Sequence, residues 1–287
     1  FAAIDGNPIV YWWSSEFLAR YAAALKLGNR DPVRTGVCTS DNTRFLRKSW
    51  EPQAGRIATG ATSTAEWAPF ITGAKGVAWF DLGDNLCRWG SSGLEVKAYN
   101  AHLYGSYSRT VQNEDRYFAA GIAFSMIGND FVARAHGRPS IMGKKGSSVF
   151  PTDLPATLAL MNTSLAREVL ASLNPGVGFE VGDVNRLPLF DVEGASEVYT
   201  TLQGAFAADE SARESSIEFR GPGPSPWPYA QAWAQAAVDR PAGEPLPTYE
   251  PTFKPAGPTD FVSFAIGIAL GRFDADGEGI LDTAPAN

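Results

Sequence analysis

Metal-ligating and redox-active side chains are scarce in this chain. Its 287 residues hold two cysteines, Cys38 and Cys87, and two histidines, His102 and His136. None of them falls at His-Glu-x-x-His or Cys-x-x-Cys spacing, so no metal site is expected. Each histidine reads as a surface or loop residue, and the cysteines as reduced thiols of a cytoplasmic protein. Long apolar runs are also missing. The best, residues 261–270, is too short to span a bilayer, and no basic-then-apolar leader opens the sequence, so no membrane partner is expected. Gly-x-Ser-x-Gly is absent, which removes the α/β-hydrolase nucleophile. A start at Phe1 in place of Met is expected of a fragment or a processed chain. Charge is sparse at 19%, beside 44% hydrophobic and 12% aromatic residues, which is the composition of a globular protein with a sizeable core.

Net charge is −7, which at first opposes nucleic-acid binding, but the charge is unevenly spread. Residues 1–150 hold 17 of the 24 Lys+Arg and 12 of the 31 Asp+Glu, a balance of +5, leaving −12 for the rest. Phosphate binding responds to local potential, so the first half could face an anionic partner while the remainder reads as solvated or protein-facing.

Apolar periodicity predicts an amphipathic helix over residues 14–25, with Ser14 or Ser15 as N-cap. From about 33 to 150 short runs broken by Gly, Asn, Asp and Ser predict a β-rich region with long loops, the clearest strands at 121–126, 131–135 and 140–142. A broad apolar stripe predicts one helix over 153–172, stopped by Asn174-Pro175-Gly176. Phe179 to Val181 reads as extended. Residues 195–240 look helical in two or three segments, interrupted by the rigid stretch 221–226. A proline-rich linker over 241–258 leads to a buried helix at 261–270. The fold class expected is α+β: a mixed, β-rich domain with a helical, proline-linked C-terminal region.

Four stretches, in order, carry a resemblance. They are Gly6-Asn7-Pro8-Ile9-Val10-Tyr11-Trp12; Gly36-Val37-Cys38-Thr39-Ser40-Asp41-Asn42-Thr43-Arg44-Phe45-Leu46-Arg47; Gly146-Ser147-Ser148-Val149-Phe150-Pro151; and Leu158 to Asn162 with Leu173 to Pro188, which contains Asn174-Pro175-Gly176-Val177-Gly178-Phe179-Glu180-Val181-Gly182-Asp183. Together they resemble the C-terminal region of BREX-type (PglX-like) N6-adenine DNA methyltransferases and their DISARM-type and type IIG restriction-modification relatives. Beyond about residue 190 the likeness thins. Between residues 59 and 94 only Trp67-Ala68-Pro69-Phe70 and Gly73-Ala74-Lys75-Gly76 match the family's aromatic, glycine-rich block.

The resemblance implies a division of labour. A methylase core outside this chain would bind S-adenosylmethionine and flip an adenine, while this part grips double-stranded DNA and reads bases. Residues 1–30 would then be a linker helix after the core, 31–190 a target-recognition domain, and 191–287 a helical, proline-rich region. The D/N-P-P-Y/F loop that holds a flipped amine is absent. So is a glycine-rich strand-to-helix turn for the cofactor, because Gly221-Pro222-Gly223 is too proline-rich. No catalytic residue and no cofactor are expected within the chain, and alone it is expected to be inactive.

Candidate DNA contacts follow from donor chemistry. Thr39, Ser40, Asn42, Arg44, Arg47 and Lys48 place hydroxyl, amide and cationic donors close together, suited to phosphates and base edges. The structural alternative is a turn capped by Asp41 and paired with Arg44. Lys144, Lys145, Ser147 and Ser148 could clamp a phosphate or form a solvated loop. Lys75, Arg109, Arg134 and Arg138 are chosen on charge and loop position. Tyr11-Trp12-Trp13 and Tyr117-Phe118 suit core packing better than base stacking, and Asn162, Asn174 and Asp183 read as a structural frame. Two other functions stay open. The acidic region after 190 could be a protein-docking module for phage-defence subunits or a phage inhibitor. Composition alone permits a carboxylate hydrolase using Asp81 and Asp84.

Overall fold

The computed structural model describes residues 10–62, 64–73, 76–128, 130–277 and 279–281. Helix α1 (Ser15–Ala23) starts where Ser14 accepts a hydrogen bond from the Phe17 amide at 3.1 Å. It buries Tyr21, whereas Leu25 lies beyond its end and is exposed. After α2 (Leu27–Arg30) and the single turn α3 (Asn42–Phe45), the chain enters two small mixed sheets.

The first sheet runs β1 (Leu46–Lys48), β4 (Asn85–Arg88), β2 (Trp67–Ile71), β7 (Ile141–Met142). Its pairings are antiparallel except β2–β7, which is parallel with Phe70 opposite Ile141. The second sheet runs β3 (Trp79–Phe80), β6 (Ala133–Ala135), β5 (Ile122–Phe124), β8 (Ser148–Val149), parallel at β3–β6 and antiparallel elsewhere. The three sequence-predicted strands are present but short. Ser125 ends β5 because its hydroxyl takes over the turn, donating to the Asp130 carbonyl at 2.9 Å and accepting the Val132 amide at 3.0 Å. Strand β2 is buried at every residue, so no inward–outward alternation marks it in the sequence.

Helix α4 (Gly90–Tyr104) begins as a left-handed turn through Ser91, Ser92 and Gly93, and its helical part turns Val96 and Asn100 inward. The single helix expected over 153–172 is two, α5 (Leu154–Met161) and α6 (Ser164–Leu173). Asn162 ends the first by turning its amide onto β6: Oδ1 accepts the Ala133 amide at 3.1 Å and Nδ2 donates to the Ala133 carbonyl at 3.0 Å. Thr163 restarts the chain as N-cap, accepting from the Ala166 amide. The apolar stripe continues across this break, which hides it from a periodicity argument. Val181 opens the short helix α7 (Val181–Asn185), with Asp183 accepting the Glu180 amide.

Helices α8 (Ala195–Ala212) and α9 (Trp227–Val238) pack on each other, and α8 also packs on α5. The Phe80, Phe206 and Trp227 rings join this layer to the second sheet, Phe80 and Phe206 stacking at 5.0 Å. The molecule is therefore α+β with a helical C-terminal region. One apolar cluster lies between the second sheet and these helices, and another fills the space between the first sheet and α4.

Helix α10 (Pro258–Ala269) corrects the expected burial of residues 261–270. Phe261, Val262, Ala265, Ile266, Ala269 and Leu270 form an apolar face that is open to solvent, with Val262 60% and Leu270 75% exposed. The opposite face holds the helix to the body. Phe264 packs edge-on to Phe219 and stacks on Phe273, and Gly267 lies so close to Phe273 that a Cβ there would sit 2.3 Å from the ring. No helix among the described residues is long and apolar enough to cross a membrane.

Candidate nucleic-acid interface

Residues 36–48 enter the first sheet through a close crossing. A Cβ on Gly36 would lie 1.9 Å from the Met142 carbonyl oxygen, so only glycine passes here. Val37 then donates to Met142 at 2.8 Å and accepts from the Lys144 amide at 2.7 Å, while the Cys38 amide donates to Thr110. The crossing sets the stretch 36–42 against the turn that carries Lys144 and Lys145, with the loop that carries Arg109 at its side.

A polar clamp shapes the next few residues. Ser40 has a left-handed backbone, φ 61°. Its hydroxyl donates to Asn100 Oδ1 at 2.7 Å, and Asn100 Nδ2 donates to the Val96 carbonyl at 2.9 Å and the Thr39 carbonyl at 3.4 Å. Asn100 is fully buried. Thr39, itself buried, donates its hydroxyl to Asn42 Oδ1 at 2.6 Å. Asp41 caps α3 by accepting the Arg44 amide at 3.0 Å. The turn expected at Asp41 is therefore built, but the Arg44 guanidinium does not pair with Asp41. It lies over the rings of Phe45 and Tyr99, 5.2 and 5.0 Å from their centroids.

Between the two stretches lies a cavity of about 320 Å³, lined among others by Thr39, Asn42, Phe70, Thr72, Lys144 and Lys145. The sequence-predicted contacts divide around it. Ser40, Asn42, Arg44, Arg109, Lys144 and Lys145 are exposed, and Arg47 and Lys48 are half-buried beside them on β1. Arg47 hydrogen-bonds the Thr43 and Leu46 carbonyls, and Lys48 bonds Asn85 Oδ1 at 3.1 Å.

Ser147 and Ser148 require a correction. Both are 0% exposed, with hydroxyls committed inside the fold: Ser147 to the Lys144 carbonyl, Ser148 to the Gly146 carbonyl and to His136. They frame the lysine turn and cannot reach a ligand. Arg134 is buried and Arg138 half-buried, paired with Asp81 and Glu210 at 2.5 Å each. Asp84 pairs with Arg213 at 2.7 Å, so neither Asp81 nor Asp84 is a free carboxylate. His136 lies in the loop just after β6, as expected of a loop residue, with its ring packed edge-on to Phe150 and hydrogen-bonded to Ser148 at 3.0 Å. Tyr11 and Trp12 are exposed, contrary to core packing, while Tyr117 is buried as expected. Asn174 bonds Asp183 at 2.7 Å and Asn162 pins α5 to β6, so the best-matching motif is structural. Lys75 and most of the first motif lie outside the described residues.

Arg44, Arg47, Lys48, Arg109, Lys144 and Lys145 form no ion pair among the described residues, a property shared by Arg20, Lys26, Arg34, Arg220, Arg240 and Lys254, whereas Arg56, Arg88, Lys97, Arg134, Arg138 and Arg213 all do. What marks residues 36–48, the lysine turn and the Arg109 loop is that six of the unpaired cations lie on these neighbouring segments. Uncompensated cations around a groove keep their potential for something outside the fold. Gly221-Pro222-Gly223 lies between α8 and α9 with no strand before it, so these residues do not form a strand-to-helix glycine turn. Asn100 was invisible to sequence reasoning. Its one signal is a polar residue on the inward stripe Gly93, Val96, Asn100 of α4.

No family model matches the chain. Two curated proteins are similar to it. The adenine-specific methyltransferase BrxX of Escherichia coli O9:H4 (strain HS) is 24% identical over 226 residues, 76% of this chain and 18% of that protein. The adenine-specific methyltransferase PglX of Lacticaseibacillus casei (strain Zhang) is 27% identical over 199 residues, 66% of this chain and 17% of that protein. The chain thus spans less than a fifth of the length of these relatives and is distantly related to them.

Proposed function

We propose that the chain is the DNA-recognition part of a longer, S-adenosylmethionine-dependent adenine-specific DNA methyltransferase of a phage-defence system, with the methyl-transfer machinery carried elsewhere in that polypeptide. The observation that carries this reading is a groove that brings the unpaired Lys144 and Lys145 beside Asn42, with the unpaired Arg44, Arg47, Lys48 and Arg109 on the adjoining segments. Distant relationship to adenine-specific methyltransferases supports it. Lysines and arginines would hold phosphates and set register, and neutral donors would read base edges. Double-stranded DNA and the methylase core are the partners this reading requires. Alone, the chain would bind and not methylate.

Electrophoretic shift with the intact chain and randomised duplexes, repeated across salt, tests the proposal. A phosphate grip through several of these cations predicts affinity that falls steeply with salt, about 0.9 log units per log unit of salt for each phosphate neutralised. Affinity without salt dependence, or no retained duplex, would refute it.

One observation favours a second reading, a protein-docking module. The apolar face of α10 is open in an otherwise acidic region. A defence subunit that binds the full chain but releases it when Val262 and Ile266 become Gln would support docking; unchanged capture would remove it.

A further inference from the structure

We infer that Asn42 is a specificity-determining residue that presents the donor end of its amide to DNA, and so selects guanine over adenine in the major groove. The inference rests on the DNA-recognition reading above and names what one side chain does within it.

An asparagine free to turn reads adenine bidentately, donating to N7 and accepting from N6. Asn42 is exposed at the cavity but is not free to turn. Its Oδ1 receives the Thr39 hydroxyl at 2.6 Å, and Thr39 is only 3% exposed. A buried hydroxyl proton requires an acceptor, and Asn42 Oδ1 is the one the described residues provide. Reversing the amide would leave that proton unpaired. With Oδ1 engaged by Thr39, Nδ2 and its two donors are the end of the exposed amide left for a ligand.

Thr39 is held in turn. Asn100 donates to the Thr39 carbonyl and accepts from Ser40, and its own amide cannot reverse because Nδ2 already serves the Val96 and Thr39 carbonyls. The chain of bonds from α4 through Thr39 to Asn42 fixes the reading group before DNA arrives. Guanine offers two adjacent acceptors, O6 and N7, to an outward amide; adenine places its N6 donor against it. Thr39 and Asn100 are positioning residues in this scheme.

The test is selection from a duplex library with a randomised central window, using the intact chain and three variants. Wild type is expected to enrich guanine at one position by roughly three- to tenfold over adenine, the worth of one neutral hydrogen bond. Asn42→Ala should erase that preference and lower affinity for the preferred duplex, while the log–log salt slope set by the cations stays the same. Asn42→Asp should move it to cytosine, whose N4 amine donates. Thr39→Val, by releasing Oδ1, should move it toward adenine, a change of identity that mere loosening of the loop would not produce. Should Thr39→Val fail to fold, Asn42→Asp at an exposed position carries the test. Adenine enriched by wild type at the Asn42-dependent position, or base preferences unaltered in Asn42→Ala, would overturn the inference while leaving DNA recognition intact. Wild type that retains no duplex would overturn both.

Discussion

Arg213 and Arg44 are the same residue type with opposite surroundings. Arg213 lies in the seam between the sheets and α8, held by Asp84, Glu210 and Asp209 and by the Leu82 carbonyl. Arg44 lies beside the groove, over two aromatic rings, and forms no ion pair among the described residues. The contrast extends to their neighbours: Arg134 and Arg138 of the seam are neutralised, while Arg47, Lys48, Lys144 and Lys145 of the face are not. A cation with a carboxylate at its side is consumed by the fold, and a cation without one is available to a partner. Net charge of the whole chain conceals this, because it sums the two populations.

The sharpest way to break the comparison is to damage the seam and ask whether the face survives. Glu210 is 3% exposed and holds both Arg138 and Arg213, with Ser216 donating to it at 2.9 Å. Burial pushes its carboxyl pKa up, against the pull of the two arginines. Glu210→Ala takes the shared buried carboxylate from both arginines, leaving Arg213 with Asp84 and Asp209 and Arg138 with Glu218 at 3.9 Å, and removing one partner of a buried pair costs about 3 to 5 kcal/mol. Thermal unfolding should register a drop on the order of 10 °C. DNA affinity of the protein that remains folded should not change. Loss of binding in proportion to residual groove charge, with stability unaltered, would mean that the seam arginines belong to the interface after all.

A second probe of the frame is pH. His136 has its pKa pushed down to about 4 by burial, although Asp81 and the Ala119 backbone pull it upward, and an unfolded imidazole titrates near 6.5. Between these values the unfolded chain binds a proton that the folded chain refuses. Stability therefore rises with pH across the window and is lost as pH falls from about 6.5 toward 4. The expected loss from this group is roughly 2 kcal/mol at about pH 5, read by denaturant midpoints. His136→Gln should flatten that slope; an equal slope in the variant would assign it to other groups.

On the face itself, Lys144→Gln with Lys145→Gln should leave the unfolding midpoint unchanged, since neither side chain has a partner among the described residues. Duplex affinity at moderate salt should fall by about tenfold, and the log–log salt slope should become shallower by roughly two. A slope that stays the same would show that the lysines do not meet phosphate.

Much of the frame was legible in the sequence, for identifiable reasons. Ser14 capping an apolar period marks α1, and the helical segments over 195–240 follow from period and proline placement. What failed is equally specific. Periodicity says which residues share a stripe, not what covers it, so α10 was expected to be buried. It carries no record of a side chain that leaves the helix for a strand, so the break at Asn162 was unseen. In the candidate site, the two donor-rich stretches were recognised separately. Their meeting depends on a parallel pairing of β2 with β7 and on the crossing at Gly36, neither of which has a local signature. Ser147 and Ser148 have the composition of a phosphate loop, but the end of the lysine turn buries the first and β8 the second.

The smallest expected effect belongs to α10, where two faces of one helix repeat the comparison in apolar form. Phe264 and Gly267 meet Phe219 and Phe273, while Val262 and Ile266 meet solvent. An exposed apolar side chain has little transfer free energy to lose, so Val262→Gln with Ile266→Gln should shift stability by no more than about 0.5 kcal/mol. Phe264→Ala removes contacts that hold the helix in place and should cost more, about 2 to 4 kcal/mol for a large aromatic that is only partly enclosed. Denaturant unfolding of the two variants at several protein concentrations separates the possibilities. A double variant as destabilised as Phe264→Ala, at every concentration, would mean that the outer face packs on this same chain. A loss that grows with protein concentration would mean that a second copy covers it. Near-neutrality at all concentrations leaves the outer face free, as drawn by the exposures of Val262, Ile266 and Leu270.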